Sequence, residues 1–319
     1  MAFIDIFNGD ADGICSLIQL RNAYPTASRL VTGVKRDIAL VDQVDYKQDD
    51  EVTVLDISFD KNRSGISKAL KAGANIRYFD HHFAGDIPQS DQLETHINTA
   101  SDICTSLLVN QYLKGRYGGW AVVGAFGDNL EKSAEAAAGP LALSAKDLAQ
   151  LAALGTYINY NGYGANLDDL HFAPDILYQS LLPFPDPLTF IDEAPEIFSL
   201  LEQGYQQDMT SASAIKPHYE SASTAVFILP NDTWARRVSG VYSNDLANTT
   251  PDRAHAVLTE KTNGTYLVSI RAPLNNKTGA DEICRQFPTG GGRKAAAGIN
   301  DLPEAMLGDF IDTLNNYYA

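Results

Sequence analysis

A short apolar run, Ile76-Arg77-Tyr78-Phe79, ends in Asp80-His81-His82. One carboxylate and two imidazoles in a row are poorly suited to a core, because buried charge is costly unless it is paired or binds a metal. The same arrangement recurs. Phe3-Ile4-Asp5-Ile6-Phe7 leads into Asn8-Gly9-Asp10-Ala11-Asp12-Gly13, Val52-Thr53-Val54-Leu55 into Asp56, and Val122-Val123-Gly124-Ala125-Phe126 into Gly127-Asp128-Asn129. Carboxylates gathered in one cleft repel by roughly several kcal/mol per close pair at the low effective dielectric there. Divalent cations resolve that repulsion. Carboxylates with imidazoles, and no thiolate, suit Mn²⁺ or Mg²⁺. Asp10 and Asp12 straddle one residue, so each can face a different ion. Two ions roughly 3.5–4 Å apart activate water and clamp an in-line phosphoryl displacement. Taken alone, Asp10-Ala11-Asp12-Gly13 reads as an acidic turn or a helix N-cap; its weight comes from the recurrence.

Such residues meet only if the elements before them end at one place. Phe3–Phe7, Leu30–Val34, Val52–Leu55 and Ile76–Phe79 read as strands from their β-branched and aromatic content. Ile14–Asn22, Ser64–Ala72 and Ser101–Tyr112 read as helices, the second stopped by Gly73. Alternation of this kind implies βαβ units and a mainly parallel sheet, doubly wound. In open α/β sheets ligands bind beyond the carboxyl ends of the strands. Asp10, Asp12, Asp56, Asp80, His81 and Asp128 each follow a predicted strand, counting Val122–Phe126 as one, so they are expected to converge.

Three prolines in Pro183-Phe184-Pro185-Asp186-Pro187 mark a boundary. The expected organisation is an α/β catalytic domain over 1–187, a helical linker over 188–220 and a smaller α/β domain over 221–319. In the last, Thr224–Leu229 and Thr265–Arg271 read as strands, and Ala280–Phe287 and Leu302–Tyr318 as helices. Gly290-Gly291-Gly292-Arg293-Lys294 lies between those helices. Its glycine N–H groups could form an anion nest with cations beside it, and Arg271 could contact a phosphate or a guanine edge in two-pronged fashion.

With 319 residues, 45% of them apolar and 20% charged, the composition is that of a globular protein large enough for two cores. The net charge of −16 argues against gripping a long nucleic-acid duplex, which needs a basic face, but not against a small phosphorylated ligand. Three scattered cysteines without CxxC spacing argue against a disulfide framework or zinc site and fit a reducing cytoplasm. The N-terminus lacks a basic region of the signal-peptide kind. The Ala134–Gly155 stretch is broken by Pro140, Lys146 and Asp147, so no membrane span is expected.

These motifs, in this order, resemble those of the DHH/DHHA1 phosphoesterases. Asn8-Gly9-Asp10-Ala11-Asp12-Gly13 is similar to the first family motif and Leu55-Asp56-Ile57-Ser58 to the second. Asp80-His81-His82 resembles the namesake third, and Gly127-Asp128-Asn129 the fourth. Ser269-Ile270-Arg271 with Gly290-Gly291-Gly292-Arg293-Lys294-Ala295-Ala296-Ala297-Gly298 resembles the DHHA1 substrate-binding signature. The resemblance implies a doubly wound DHH domain, a connecting helix, a DHHA1 domain and Mn²⁺-dependent phosphoester hydrolysis. It implies that Asp10 and Asp56 hold one ion, and that Asp12, Asp56, His81 and Asp128 hold a second, with Asp56 bridging. Asp80 would orient a histidine and His82 would contact the scissile phosphate. Asn8, Arg271, Gly291, Gly292, Arg293 and Lys294 would line the substrate site. The chain departs from the family twice: Asn8 stands where a metal-binding histidine is usual, and Arg293 where the glycine run usually leads into histidine. An amide oxygen is the weaker ligand; arginine keeps a donor and adds permanent charge, favouring a terminal phosphate or a guanine.

The function expected from this is hydrolysis of short linear oligoribonucleotides, dinucleotides such as pGpG above all, to 5′-mononucleotides by two-metal activation of water (the nanoRNase type). A 3′-phosphoadenosine-5′-phosphate phosphatase and a cyclic-dinucleotide phosphodiesterase are the alternatives within the class. A RecJ-like exonuclease is disfavoured by the acidic balance. A nucleotide-binding sensor with degraded catalysis is the alternative outside the class, prompted by Asn8. The expected partners are a short nucleotide, no long nucleic acid and no membrane, with a homodimer left open.

Overall fold

The computed structural model describes all residues, 1–319. The chain divides into two compact units, Met1–Glu202 and Gln203–Ala319. In the first, β1 (Phe3–Phe7), α1 (Ala11–Ala23), β2 (Arg29–Val31), β3 (Glu51–Leu55), α2 (Arg63–Ala72), β4 (Asn75–Asp80) and β5 (Leu93–Ile97) alternate as the pattern predicts. Helices α3 (Thr105–Tyr112), α4 (Gly118–Gly127), α5 (Glu131–Ala138), α6 (Ala145–Asn161), α7 (Pro174–Leu181), α8 (Pro187–Glu193) and α9 (Pro195–Ser213) follow, α9 crossing the division.

The five strands lie in the order β2-β1-β3-β4-β5, all parallel. Strand β1 shows why the sheet has two buried faces. Ile4 and Ile6 enter a core with Val52, Val54, Ile76 and Tyr78 of neighbouring strands and Ile66 and Ala69 of α2. Asp5 and Phe7 point to the opposite face, as alternation requires. Phe7 meets Tyr178 of α7 there, and the fully buried Asp5 is bound by Arg21 of α1 and by the Ser28 hydroxyl at 2.5 Å. Leaving that carboxylate unpaired in a sheet would be costly; the guanidinium and hydroxyl offset it.

One expected strand is a helix. Val122–Phe126 belongs to α4, which is buried along nearly its whole length and packs on α1 and α6. A short, wholly apolar run carries no periodicity that separates a buried strand from a buried helix. Asp128 therefore reaches its place as the residue capping the C-terminus of α4, not from a strand end. Other differences are at boundaries: β2 stops at Val31, α3 starts at Thr105, and β5 was not anticipated in Leu93–Ile97.

The second unit holds β6 (Tyr219–Glu220), β7 (Thr224–Leu229), α10 (Thr233–Thr249), β8 (Ala254–Glu260), β9 (Thr265–Arg271), α11 (Ala280–Cys284), β10 (Gly290–Gly292), β11 (Ala296–Pro303) and α12 (Leu307–Tyr318). Its sheet runs β10-β11-β9-β8-β7-β6 and is antiparallel except for β7 beside β8. Val226, Leu258, Val268, Ile270 and Ile299 form a core with Ile283 of α11 and with Phe310 and Leu314 of α12. Leu302 and Pro303 lie in β11, so the last helix is shorter than the sequence suggests.

Candidate metal centre

Adjacent parallel strands bring their carboxyl-terminal loops side by side. β1, β3 and β4 are neighbours, so Asn8, Asp10, Asp12, Asp56, Asp80, His81 and His82 all leave the same edge of the sheet. Asp10 caps α1, its carboxylate accepting from the Gly13 N–H at 3.1 Å. Gly13 is required there: a Cβ on it would lie 2.2 Å from the Asn8 carbonyl oxygen. Asp56 sits at φ 58°, in the left-handed region, a conformation that costs of order 1–3 kcal/mol and clusters at functional sites.

The fixed hydrogen bonds orient each side chain. His81 Nδ1 lies 3.0 Å from the Ile103 carbonyl, which makes it the donor and turns Nε2 toward the carboxylates. That Nε2 is 3.4 Å from Asp56 Oδ1 and 3.8 Å from Asp128 Oδ2. Asp80, fully buried, accepts from the Phe59 N–H at 3.2 Å, the His81 N–H at 2.8 Å and His82 Nδ1 at 2.7 Å. Burial works against a charged His82, but the hydrogen bond and charge of Asp80 hold its imidazole above its ordinary value. One donor atom from each of Asp56, His81 and His82 lies within 4.8 Å of the others.

Three further groups at the site were not read from the sequence. The N-terminus of α3 presents the Thr105 and Ser106 N–H groups, each 2.7 Å from one oxygen of Asp12. The Thr105 hydroxyl donates to Asp56 at 3.1 Å. Helix N-termini favour anions in this way. Lys35 Nζ lies 2.5 Å from Asp10 Oδ2, 2.8 Å from Asn159 Oδ1 and 4.0 Å from Asp128 Oδ1. Lys35 follows β2, so the strand-end rule that picked out the acids could have found it; nothing in the sequence marks Asn159 or the start of α3.

The charge balance is anionic. Burial, with Asp12, Asp10 and Asp128 nearby, pushes the Asp56 carboxyl well up. Asp12 is also raised, by burial first and by Asp128 and Asp10, while His81 opposes the shift. Asp10 alone is lowered: burial raises it, but Lys35, the Gly13 N–H and a hydrogen bond with Asp56 together outweigh that. Asn8 Oδ1 is buried with no hydrogen-bond partner, its amide N–H donating instead to the Lys35 carbonyl at 3.3 Å. An imidazole nitrogen facing two carboxylates, and an unpartnered amide oxygen, form a donor set that fits a hard or borderline divalent cation. A carboxylate at a helix C-terminus, as Asp128 is, opposes the helix dipole, and a cation beside it removes that cost.

The remaining candidates lie in the second unit. Arg271 ends β9, donating to Asn244 Oδ1 at 2.7 Å and Ser269 Oγ at 3.1 Å. Gly290–Gly292 are a strand paired with Ile299–Ala297 of β11 and not a loop nest. Arg293 and Ala296 exchange backbone hydrogen bonds, which makes Arg293 and Lys294, both exposed, part of the turn joining β10 to β11. Gly290 is needed for close approach, since a Cβ would lie 1.8 Å from the Cys284 carbonyl oxygen, whereas Gly291 has open space. Arg271 pairs with Ala296, so Arg271 and this turn share one region of the sheet.

No family model and no curated protein matches the chain. Solved structures do. A manganese-bound RecJ exonuclease superposes with a TM-score of 0.62 at 17% identity, over 99% of this chain and 90% of that one. RecJ with Mn²⁺ from Thermus thermophilus gives 0.59 at 17%, over 99% of this chain and 52% of that one. At these identities the likeness is one of fold. The pGpG-specific phosphodiesterase PggH of Vibrio cholerae is similar over the full length of both chains, with a TM-score of 0.57 at 14% identity. No helix is long and apolar enough to cross a membrane.

Proposed function

We propose that this chain is a divalent-metal-dependent phosphodiesterase that cuts short linear oligoribonucleotides, pGpG foremost, to 5′-mononucleotides. The observation that carries the reading is the meeting of Asp12, Asp56, His81 and Asp128, with His81 Nε2 turned toward two carboxylates. Those four residues are proposed to hold the ion, Mn²⁺ by analogy with the manganese-bound neighbours. Such an ion lowers the pKa of a bound water and offsets phosphate charge.

The chain's own groups supply the rest. The His82 ring, turned by Asp80 through Nδ1, presents Nε2 as a donor for a phosphate oxygen, and the raised affinity for its proton suits that task. Asp12 and Asp56 are oriented by hydrogen bonds from the start of α3. Arg271, Gly291, Gly292, Arg293 and Lys294 are the proposed contacts to the terminal phosphate or guanine. A substrate as short as a dinucleotide is supported by the full-length likeness to a pGpG phosphodiesterase and by the net charge of −16, which disfavours a long polyanion.

Purified protein with Mn²⁺ should be offered pGpG, pApA, 3′-phosphoadenosine-5′-phosphate, cyclic di-GMP and longer RNA. Fastest turnover is expected on pGpG, and Arg293→Ala should raise KM more than it lowers kcat. Absence of cleavage on every linear dinucleotide would end the proposal. Asn8 and the Lys35–Asp10 pair favour a second reading, a nucleotide sensor. It predicts binding of pGpG with no turnover at saturating Mn²⁺.

A further inference from the structure

The two unusual features of the site fall in one corner. Asn8 stands where the resemblance leads one to expect a metal-binding histidine, and Lys35 stands against Asp10, the acid that histidine would share an ion with. Lys35 is anchored at both ends. Its backbone N–H donates to the Gly162 carbonyl at 2.8 Å, and its own carbonyl accepts from the Asn8 amide at 3.3 Å. Its side chain, 22% exposed, ends 2.5 Å from Asp10 Oδ2 and 2.8 Å from Asn159 Oδ1, within 4.0 Å of Asp128 and 5.4 Å from the centre of the Tyr163 ring. Two carboxylates, an amide oxygen and an aromatic face are what a partly buried ammonium needs to offset its lost hydration.

A dication and an ammonium cannot share the Asp10 oxygens without strong mutual repulsion, and the covalently tethered charge does not dissociate. Loss of a neutral imidazole ligand also weakens that position for a metal, and Asn8 offers only an uncharged amide oxygen in its stead. We propose that the Lys35 ammonium replaces one divalent ion, so that this protein takes a single ion, at Asp12, Asp56, His81 and Asp128, with the Lys35–Asp10 pair as a fixed cation beside it. This rests on the metal-dependent reading above but concerns how many ions are held, not what is hydrolysed. The consequence is a division of labour. Water activation belongs to the one exchangeable ion. Lys35, which cannot activate water, supplies charge and N–H donors toward an anionic substrate.

The test counts ions without substrate. Metal-free protein is equilibrated with Mn²⁺, desalted, and measured by native mass spectrometry and electron paramagnetic resonance. The wild type should carry one Mn²⁺ per chain with the hyperfine pattern of an isolated ion. Lys35→Met, and Lys35→Gln combined with Asn8→His, should carry two, with the broadened spectrum of an exchange-coupled pair. Two coupled ions in the wild type overturn the inference, and so does a count that stays at one in both folded variants. Should the variants fail to fold, the wild-type count decides alone. No bound ion at all would instead sink the metal-dependent reading. One ion without dinucleotide turnover would sink the substrate assignment and leave this inference standing.

Discussion

Asp80→Asn is the most informative single change, because the carboxylate is fully buried and serves three donors at once: the N–H groups of Phe59 and His81, and Nδ1 of His82. The amide has the same shape but one acceptor oxygen and an NH₂. If the oxygen stays with His81 and His82, the NH₂ faces the Phe59 N–H, donor against donor. Two bonds drop from charge-assisted, about 1.5–3 kcal/mol each, to neutral, about 0.5–1.5, and a buried donor left unsatisfied costs about 1–3 kcal/mol. The expected loss is therefore about 3–6 kcal/mol, read from urea denaturation of the metal-free protein. The loss should depend on pH with a definite sign. Asp80 holds His82 above its ordinary value of 6.5, so that contribution is fully present below 6.5 and disappears as pH rises through the folded value. The gap between wild type and variant should thus be wider near pH 6 than near pH 9. The His82 ring resonance in NMR should titrate at lower pH in the variant. A loss under about 1 kcal/mol together with an unmoved His82 titration would refute the role given to Asp80.

Asp56→Asn should separate stability from function. The substitution puts a neutral amide where burial and the nearby Asp12, Asp10 and Asp128 oppose an ionised carboxylate, and asparagine tolerates the left-handed backbone at φ 58°. The metal-free protein should gain about 1 kcal/mol in thermal or chemical denaturation, while Mn²⁺ affinity falls at least ~100-fold by calorimetry; destabilisation of the metal-free form would contradict the charge argument. Stabilisation by Mn²⁺ should grow with pH. Asp12 and Asp56 keep their protons above the ordinary carboxylate value of 3.8, so over the window from there to their folded values the metal-free fold binds more protons than the unfolded chain. Its stability accordingly falls as pH rises. An ion displacing those protons, and contributing about 2.7 kcal/mol at a hundredfold excess over its dissociation constant, should raise Tm progressively more as pH climbs above the ordinary carboxylate value toward the raised folded ones; a pH-independent rise would count against it.

The site was legible in the sequence to the extent that it is local. An apolar, β-branched run that stops at an acid shows where a buried strand ends, because such a run is unfavourable in water and a charge inside the sheet is costly unless paired, as Asp5 is by Arg21. That logic placed Asp10, Asp12, Asp56, Asp80 and His81 at strand ends. It went wrong at Asp128, since the run before it is apolar on all sides and a buried helix satisfies such a sequence as well as a buried strand does. The glycine run, read as a nest, is a strand, because its partner β11 is supplied by residues further along the chain.

Only the tertiary structure decided that these ends meet. The order β2-β1-β3-β4-β5 sets three acid-bearing loops side by side, and strand order is a property of long-range pairing that no local window contains. The same holds for the groups that tune the acids. Lys35 reaches Asp10, Asn159 reaches Lys35, and the N-terminus of α3 reaches Asp12 only across chain separations of 25, 124 and 93 residues. The sequence could name the carboxylates because their chemistry is written in their type. Which of them face a lysine, an imidazole lone pair or a helix N-terminus depends on packing, and that is what sets their charge.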